Sequence, residues 1–502
     1  MYKKKSNQLN IFDFTMPWGM EFDKTNRWVQ KALVIPWDWA EERYMKNFID
    51  KKTGNPAKHF RLLYGALLIK QDFNNISDEE VVQLISENPY MQYLCGIREF
   101  TSRLPFDASS LTRFRKRLSV EFMTELNELI VARSQEEEKK KIAPPGQTTP
   151  TVSDSELASA LTTPNIHKTT KSDNQEIDKE NLPENQGTLL IDATCAPQYI
   201  RYPQDASLLD EARRNLEDMI DDLHDPADGK KPRTYRIKAR KQYVKFAKQK
   251  KKSKKSIRKA ISQQLNYVKR DLEIINRYLS EGRKLSASQL IRLNTIKKLF
   301  EQQSFMHKNK THQVKDRIVS LHQPHVRPIV RGKVKAPCEF GSKLDLSVTD
   351  GYVRLEHISF DAYNESENFE KIVEGYFLRY GFYPAKVLVD QLYRTKANLA
   401  YCKDRKITIL GPPLGRPRKD SVPDKKQTRK DEIARVEVER KISLAKRSYG
   451  MGVIKARLKH TSFLSIIMSI ITMNIERAAL FLFSIFRFVY SKNIKYDFCY
   501  EC

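Results

Sequence analysis

Two continuous apolar runs, each ending on an aspartate, constrain the fold of this chain more than any other feature. The first run occupies residues 188–191 and ends at Asp192, and the second occupies residues 386–389 and ends at Asp390. Apolar runs without alternating polar residues are typical of central strands that are covered on both faces. An aspartate at the end of such a strand is held rigidly and still reaches water. Two of them on neighbouring strands therefore predict a shared acidic site in an α/β fold.

The charge of the chain indicates what kind of partner it has. Its 502 residues include 90 Lys+Arg and only 62 Asp+Glu, which gives a formal net charge of +28. That length predicts more than one domain, and a hydrophobic fraction of 40% is enough for a sizeable core. Because the positive charge is clustered along the chain, we expect nucleic acid as the partner rather than an excess of lysine that serves solubility alone.

Cysteine usage and the lack of a signal peptide predict a reducing compartment, the cytoplasm. Cys499 and Cys502 form a CxxC without a second ligand pair close by, so a metal role there is disfavoured. Residues 461–490 are strongly apolar, but Glu476 and Arg477 interrupt them. A membrane span needs about 20 predominantly apolar residues with few charges. We therefore expect a buried core helix and no membrane partner.

Residues 1–133 have the pattern of an all-α domain. Ser77 followed by Glu80 is a capping-box pattern that predicts a helix start at Ser77. A second helix is predicted over residues 107–118, and its basic residues are Arg113, Arg115, Lys116 and Arg117. This arrangement predicts either a helix-turn-helix reader of duplex DNA or a plain helical bundle with a solvated basic face. The local pattern does not decide between the two.

Two long segments separate this region from the rest. Residues 134–186 are polar and lack an apolar period, so we expect a disordered linker. Residues 205–320 repeat apolar residues at three- and four-residue steps, which predicts a helical hairpin or short coiled coil. Within this insertion, residues 230–259 contain no acid and interleave aromatic residues with basic ones, which include Lys241 and Lys245. The pattern favours DNA contact, with a solvated charged arm as the alternative.

Residues 187–204 and 321–490 are predicted to form one α/β domain, followed by a tail over residues 491–502. The predicted strands cover residues 188–191, 326–330, 344–348, 352–356, 386–390 and 407–410. Helix patterns cover residues 369–380 and 396–403. Strands that alternate with helices in this way indicate a layered α/β structure.

A basic helix further along the chain supplies a third acid. Arg435, Glu439 and Lys446 are spaced four and seven residues apart, so they share one face of a helix with 3.6 residues per turn. Glu437 points about 200° away from Glu439 and is predicted to be a solvated or ion-paired residue. Three carboxylates provide the oxygen ligands that Mg²⁺ prefers, and two such ions can act together on a phosphodiester.

These residues resemble those of the DDE transposases of bacterial insertion sequences, of the group with an InsH-like N-terminal domain. The resemblance covers about residues 37–473. It is carried by the two strand ends, by the Arg435–Glu439–Lys446 spacing, and by residues 335–343 and 411–417. Some relatives carry a tyrosine three residues before the arginine. Glu432 stands there in this chain, so the contribution of that tyrosine is absent or supplied elsewhere.

The resemblance implies an RNase H-like mixed sheet with flanking helices. It implies that Asp192, Asp390 and Glu439 are the catalytic acids and bind two Mg²⁺ ions, for which Mn²⁺ is expected to substitute. Arg435 and Lys446 are then expected to hold DNA phosphates on either side.

The implied activity is metal-dependent strand cleavage at the ends of an insertion sequence, followed by strand transfer into target DNA. The expected partners are the terminal inverted repeats, the target DNA, and a second or further copy of the chain on the DNA, at the nucleoid. Two alternatives stay open: an RNase H-like nuclease that does not join ends, and a catalytically inactive DNA-binding derivative.

Overall fold

A computed structural model describes residue 2 and residues 14–48, 56–142, 183–330, 338–412 and 425–497. The chain divides into two compact units. The larger unit comprises Met1–Ala196, Leu344–Ile358 and Asn364–Cys502, and the smaller unit comprises Pro197–Lys343 and Ser359–Tyr363. Residues 143–182 of the predicted linker, residues 335–337 and 413–417 of the family-like stretches, and the Cys499/Cys502 pair lie outside the described residues.

The N-terminal region of the larger unit is helical, as predicted. Its helices are α1 (Arg27–Val34), α2 (Trp37–Met45), α3 (Phe60–Asp72), α4 (Asp78–Glu87), α5 (Pro89–Leu94), α6 (Ser109–Arg115) and α7 (Val120–Ile142). The predicted helix start at Ser77 is confirmed, because its side chain accepts a hydrogen bond of 3.1 Å from the backbone N–H of Glu80. Short 3₁₀ helices occur at Pro17–Gly19, Pro226–Asp228, Glu365–Asn368 and Gln391–Tyr393.

Helix α7 corrects the predicted start of the linker. The helix continues to Ile142, so residues 134–142 are not linker. Ion pairs four residues apart stabilise this polar stretch, including Lys140 with Glu136 at 2.7 Å. Gln135 is buried and donates a hydrogen bond of 2.9 Å to Asp350. Side-chain pairs and a distant partner therefore replace the apolar period that the sequence lacks here.

A mixed sheet forms the centre of the larger unit. Its strands are β1 (Thr188–Pro197), β3 (Cys338–Thr349), β4 (Tyr352–Ser359), β5 (Lys386–Leu388) and β6 (Thr408–Leu410). They follow the order β3-β1-β5-β6, with β4 also paired to β3. Strand β5 runs parallel to both β1 and β6. The α/β class predicted from the sequence is confirmed.

Helices cover both faces of this sheet. On one face, Leu189, Ile191 and Val387 pack with buried residues of α12 (Phe369–Tyr380) and α13 (Lys396–Asp404). On the other face, Leu190 and Leu388 pack with α14 (Lys425–Ser448) and α15 (Lys459–Asp497). This double cover explains why the runs before Asp192 and Asp390 are continuously apolar.

Helix α15 is the apolar segment that resembles a membrane span. Lys459–Ser484 is long and apolar enough for one, but 67% of its most apolar window is buried in the protein. One side of the helix packs with the N-terminal helices and the other with the sheet. Glu476, in its middle, pairs with Lys31 at 2.6 Å. The helix packs here as a core helix, which is the arrangement predicted. It continues to Asp497, so the predicted tail begins too early.

Among the described residues of the smaller unit, four α-helices share one core: α8 (Asp205–Leu223), α9 (Arg236–Ala247), α10 (Lys254–Ser280) and α11 (Ala287–Asn309). A hairpin or short coiled coil was therefore too simple a prediction. Leu290, one of the apolar residues in that repeat, is 42% exposed, because α11 faces the core through Leu293, Ile296 and Leu299. Strand β2 (Arg327–Val330) pairs antiparallel with the first residues of β3 and also belongs to this unit.

Candidate active site

The register of two parallel strands brings the two candidate aspartates together. Thr188, Leu189 and Leu190 of β1 pair with Lys386, Val387 and Leu388 of β5. Continuing that register by two residues brings Asp192 opposite Asp390. Neighbouring strands lie about 5 Å apart, so both carboxyl groups lie close together near the carboxyl end of β5. Strand β1 continues to Pro197, so Asp192 lies within its strand and not at the strand end that the apolar run predicted.

Alternation along each strand gives the face on which these side chains lie. Asp192 follows Leu190 by two residues, and Asp390 follows Leu388 by two residues in extended backbone. Both leucines belong to the core that contains Val438 of α14. Because side chains two residues apart share a face, both aspartates point towards the α14 side of the sheet.

Helix α14 carries the third acid, and an arginine of the same helix links that acid to Asp390. Arg435 Nη1 lies 3.2 Å from Asp390 Oδ1 and 3.1 Å from Glu439 Oε1. The side chains of Asp390 and Glu439 are 51% and 50% exposed, and that of Arg435 is 28% exposed. The two acids are half-exposed and therefore share one guanidinium nitrogen at the surface of the larger unit.

Glu437 has different partners from Glu439. Arg440 donates two hydrogen bonds to the Glu437 carboxylate, at 2.8 and 2.7 Å. These bonds hold the pKa of Glu437 below its usual range. Lys441 lies 3.9 Å from the same carboxylate, and burial lowers the pKa of Lys441 to about 8. Glu437 is therefore an ion-paired residue that makes its contacts along its own helix.

Asp192 and Lys446 complete the predicted set. Asp192 is half-buried on β1, and its Oδ1 accepts a hydrogen bond of 2.8 Å from the backbone N–H of Ala193. Lys446 lies in the last turn of α14 and is half-buried. All five residues predicted around the acidic site therefore belong to the larger unit.

The donor chemistry of the site suits a hard divalent cation, because Asp192, Asp390 and Glu439 offer carboxylate oxygens. Within the described parts of the chain, however, no three histidine, cysteine or acidic side chains are close enough together to hold a metal ion. Arg435 explains part of this, since its guanidinium group lies between Asp390 and Glu439. A cation that used both of these acids would have to take the place of that nitrogen.

The basic residues on the helix predicted over residues 107–118 have unequal surroundings. The helix that forms there, α6, has only seven residues, and two of them, Leu111 and Phe114, are buried. Arg115 is bound to Asp78, with Nη1 3.0 Å from Oδ1. The exposed basic residues are Arg113, Lys116 and Arg117. Arg115 therefore fixes α6 to α4, and the other three remain on the surface.

The basic run of the smaller unit forms an exposed surface. Lys241 and Lys245 are exposed on α9, whose buried residues are Ala239 and Phe246. The start of the run is anchored, because Arg236 lies 2.7 Å from Asp221 on α8. The rest of α9 is therefore held in place while its lysines face solvent.

Sequence reasoning did not identify Asp271, a buried acid in the core of the smaller unit. Both of its carboxylate oxygens lack a hydrogen-bond partner among the described residues. Burial, reinforced by nearby Glu217, raises the pKa of Asp271 to about 8. Its spacing could have identified it as buried, since Asp271 lies three residues after Val268 and four before Ile275, on the buried face of α10.

Two family models match this chain. The one described as "Transposase DDE domain" covers residues 387–476, which include Asp390 and Glu439, and the one described as "Transposase domain (DUF772)" covers residues 18–117. The chain is also similar to a Rhizobium meliloti protein described as "Uncharacterized protein ORF8 in nfe locus". The two are 39% identical over 98 residues, which is 20% of this chain and 46% of that protein. No solved structure matches. The resemblance to transposases is confirmed over the two matched segments.

Proposed function

We propose that this chain is a DDE transposase that cuts DNA at the ends of a mobile element and joins those ends to target DNA. The observation that carries the proposal is the arrangement of three acids in the larger unit. There Asp192 lies across from Asp390 in the register of β1 and β5, and Arg435 links Asp390 to Glu439. Asp390, Arg435 and Glu439 lie within the segment that matches the transposase DDE domain.

An RNase H-like arrangement is part of this proposal. It is supported by a mixed sheet in which Asp192, inside β1, lies across from Asp390, two residues after β5, with an acidic helix over the same face. The backbone that carries each aspartate is rigid because Leu190 and Leu388 anchor it in the core. A site built on such anchored elements can hold a scissile phosphate in a fixed orientation.

The chemistry is two transfers at phosphorus. In the first, a water oxygen attacks and the bond from phosphorus to the 3′ oxygen breaks, which leaves a 3′-hydroxyl. In the second, that hydroxyl attacks a target phosphodiester, and the 3′ oxygen of the target leaves. When bound, two Mg²⁺ ions, or Mn²⁺ in their place, would stabilise the attacking and leaving oxygens. The chain contributes the carboxylates of Asp192, Asp390 and Glu439, and Lys446 and Arg435 supply positive charge for the flanking phosphates.

The DNA ends are proposed to bind at exposed basic surfaces. On the larger unit, Arg113, Lys116 and Arg117 form one such surface, and on the smaller unit Lys241 and Lys245 form another. Their exposed charge suits contacts to phosphates, which position DNA and carry no base sequence information. Because two ends must be joined to one target, the active form is proposed to be a dimer or larger assembly on DNA.

The experiment that tests the activity uses duplex DNA from the region flanking this gene, labelled at the 5′ end of the strand that gains the new 3′-hydroxyl, with Mg²⁺ and unlabelled target. A transposase yields shortened labelled strands and also labelled products longer than the substrate. Shortened strands alone would indicate a nuclease that does not join ends. Binding without either product would indicate an inactive DNA-binding derivative.

A further inference from the structure

One nitrogen of Arg435 links two of the three proposed catalytic acids. Nη1 donates a hydrogen bond to Asp390 Oδ1 at 3.2 Å and forms an ion pair with Glu439 Oε1 at 3.1 Å. Asp390 is separated from Arg435 by 45 positions in sequence, whereas Glu439 is one helical turn away. The contact therefore connects the end of the sheet to α14.

Charge explains why an arginine is stable at this position. Two carboxylates that approach one point repel each other, and a cation between them removes that repulsion. The guanidinium group supplies this charge from within the chain. Its nitrogen lies within 3.2 Å of both carboxylate oxygens, which a divalent ion would also have to reach.

We infer that Arg435 occupies the cation position of the DNA-free protein and competes with a divalent cation for Asp390 and Glu439. This inference rests on the proposed function of those acids. The pair is half-exposed, so screening keeps each contact weak and the arginine can be displaced. A DNA phosphate offers the displaced guanidinium group a new anionic partner with which it can form two hydrogen bonds.

The consequence is a coupling between DNA and cation. DNA draws Arg435 away from the carboxylates, and cation binding releases Arg435 for DNA. Each ligand therefore increases the affinity for the other by the same factor, as thermodynamic linkage requires. The acidic site would fill with metal mainly after DNA has docked, which limits metal-dependent cleavage without the correct substrate.

The test measures Mn²⁺ affinity of the full chain, with free Mn²⁺ followed by electron paramagnetic resonance. Arg435→Gln removes the competing charge, and Arg440→Gln is the matched control. Arg440 lies on the same helix with its side chain 64% exposed, and it pairs with Glu437 rather than with the proposed acids. Without DNA, we expect Arg435→Gln to bind Mn²⁺ about tenfold more tightly than wild type. Arg440→Gln should resemble wild type, as should Arg435→Lys, which restores the charge.

The second arm repeats the titration with duplex DNA from the region flanking the gene. Wild type and Arg440→Gln should gain Mn²⁺ affinity when DNA is present, and Arg435→Gln should not. The inference is overturned if Arg435→Gln binds Mn²⁺ no more tightly than Arg440→Gln, or if DNA increases the affinity of both equally. Wild-type cleavage measured in parallel separates the two questions. Cleavage that Asp390→Asn leaves unchanged would refute the proposed function itself, whereas normal cleavage with unchanged Mn²⁺ affinities would refute only the role of Arg435.

Discussion

Two glutamates on one helix give the sharpest comparison of function. Glu439→Gln and Glu437→Gln make the same chemical change two residues apart on α14. Glu439 shares Arg435 with Asp390, whereas Glu437 is bound by Arg440. We expect Glu439→Gln to lose metal-dependent cleavage and Glu437→Gln to keep most of it.

The sizes of the two effects follow from the contacts. Changing a residue that merely supports a metal ligand typically costs about 10- to 100-fold in affinity or activity. Loss of a direct ligand at Glu439 should therefore reduce cleavage by more than about 100-fold. The Glu437–Arg440 pair has one partner 64% exposed, and such surface pairs contribute about 1 kcal/mol or less to the free energy of unfolding. Glu437→Gln also leaves the nearby Lys441 with one anion fewer, so a small loss of stability is expected.

The assay is single-turnover cleavage of labelled duplex DNA at saturating protein, with thermal unfolding of each variant measured alongside. The unfolding data separate a lost ligand from a damaged helix. Equal cleavage by the two variants, or a larger loss in Glu437→Gln, would mean that the face of α14 turned towards Asp192 and Asp390 has been assigned wrongly. The roles given to Arg435 and Lys446 would then also be wrong.

Two further predictions concern the smaller unit. Replacing Lys241 and Lys245 with glutamine should reduce the magnitude of the slope of log affinity for DNA against log salt by about 1.8, since each lost phosphate contact contributes about 0.9. An unchanged slope would mean that the basic run over residues 230–259 is only solvated. Asp271→Asn should stabilise the protein more at about pH 8 than at about pH 5. Because the pKa of Asp271 is raised from 3.8 to about 8, the folded state keeps a proton that the unfolded state loses over this range, so wild-type stability falls as pH rises. An equal change in melting temperature at both pH values would contradict this.

The parts of the fold that sequence could predict are those with a local signal. The apolar segments before Asp192 and Asp390 were predictable as strand because burial on both faces requires uninterrupted apolar residues, whereas the continuation of β1 to Pro197 was not predicted. Helix α15 was predictable as a core helix because it is apolar around its circumference and carries charges in its middle, one of which pairs with Lys31. The relation of Arg435 to Glu439 followed from helical spacing alone.

The parts that sequence could not predict depend on distant partners. Arg115 is bound to Asp78, which lies 37 positions away, so no local pattern distinguished it from its exposed basic neighbours. The contact of Arg435 with Asp390 spans 45 positions and needs the register of the sheet as well as the position of α14. Similarly, the insertion looked like a hairpin because a repeat gives the apolar face of each helix but not the number of helices that share one core.

The central claim is that Asp192 and Asp390 perform the chemistry and do not bind the DNA. Asp192→Asn and Asp390→Asn test it most directly, because each change keeps the shape of the side chain and removes its negative charge. Cleavage and gel-shift affinity are measured on the same labelled duplex. We predict that either substitution abolishes strand cleavage and leaves DNA affinity intact. Cleavage that stays within about tenfold of wild type, about 1.4 kcal/mol in the barrier, would contradict the role assigned to that aspartate.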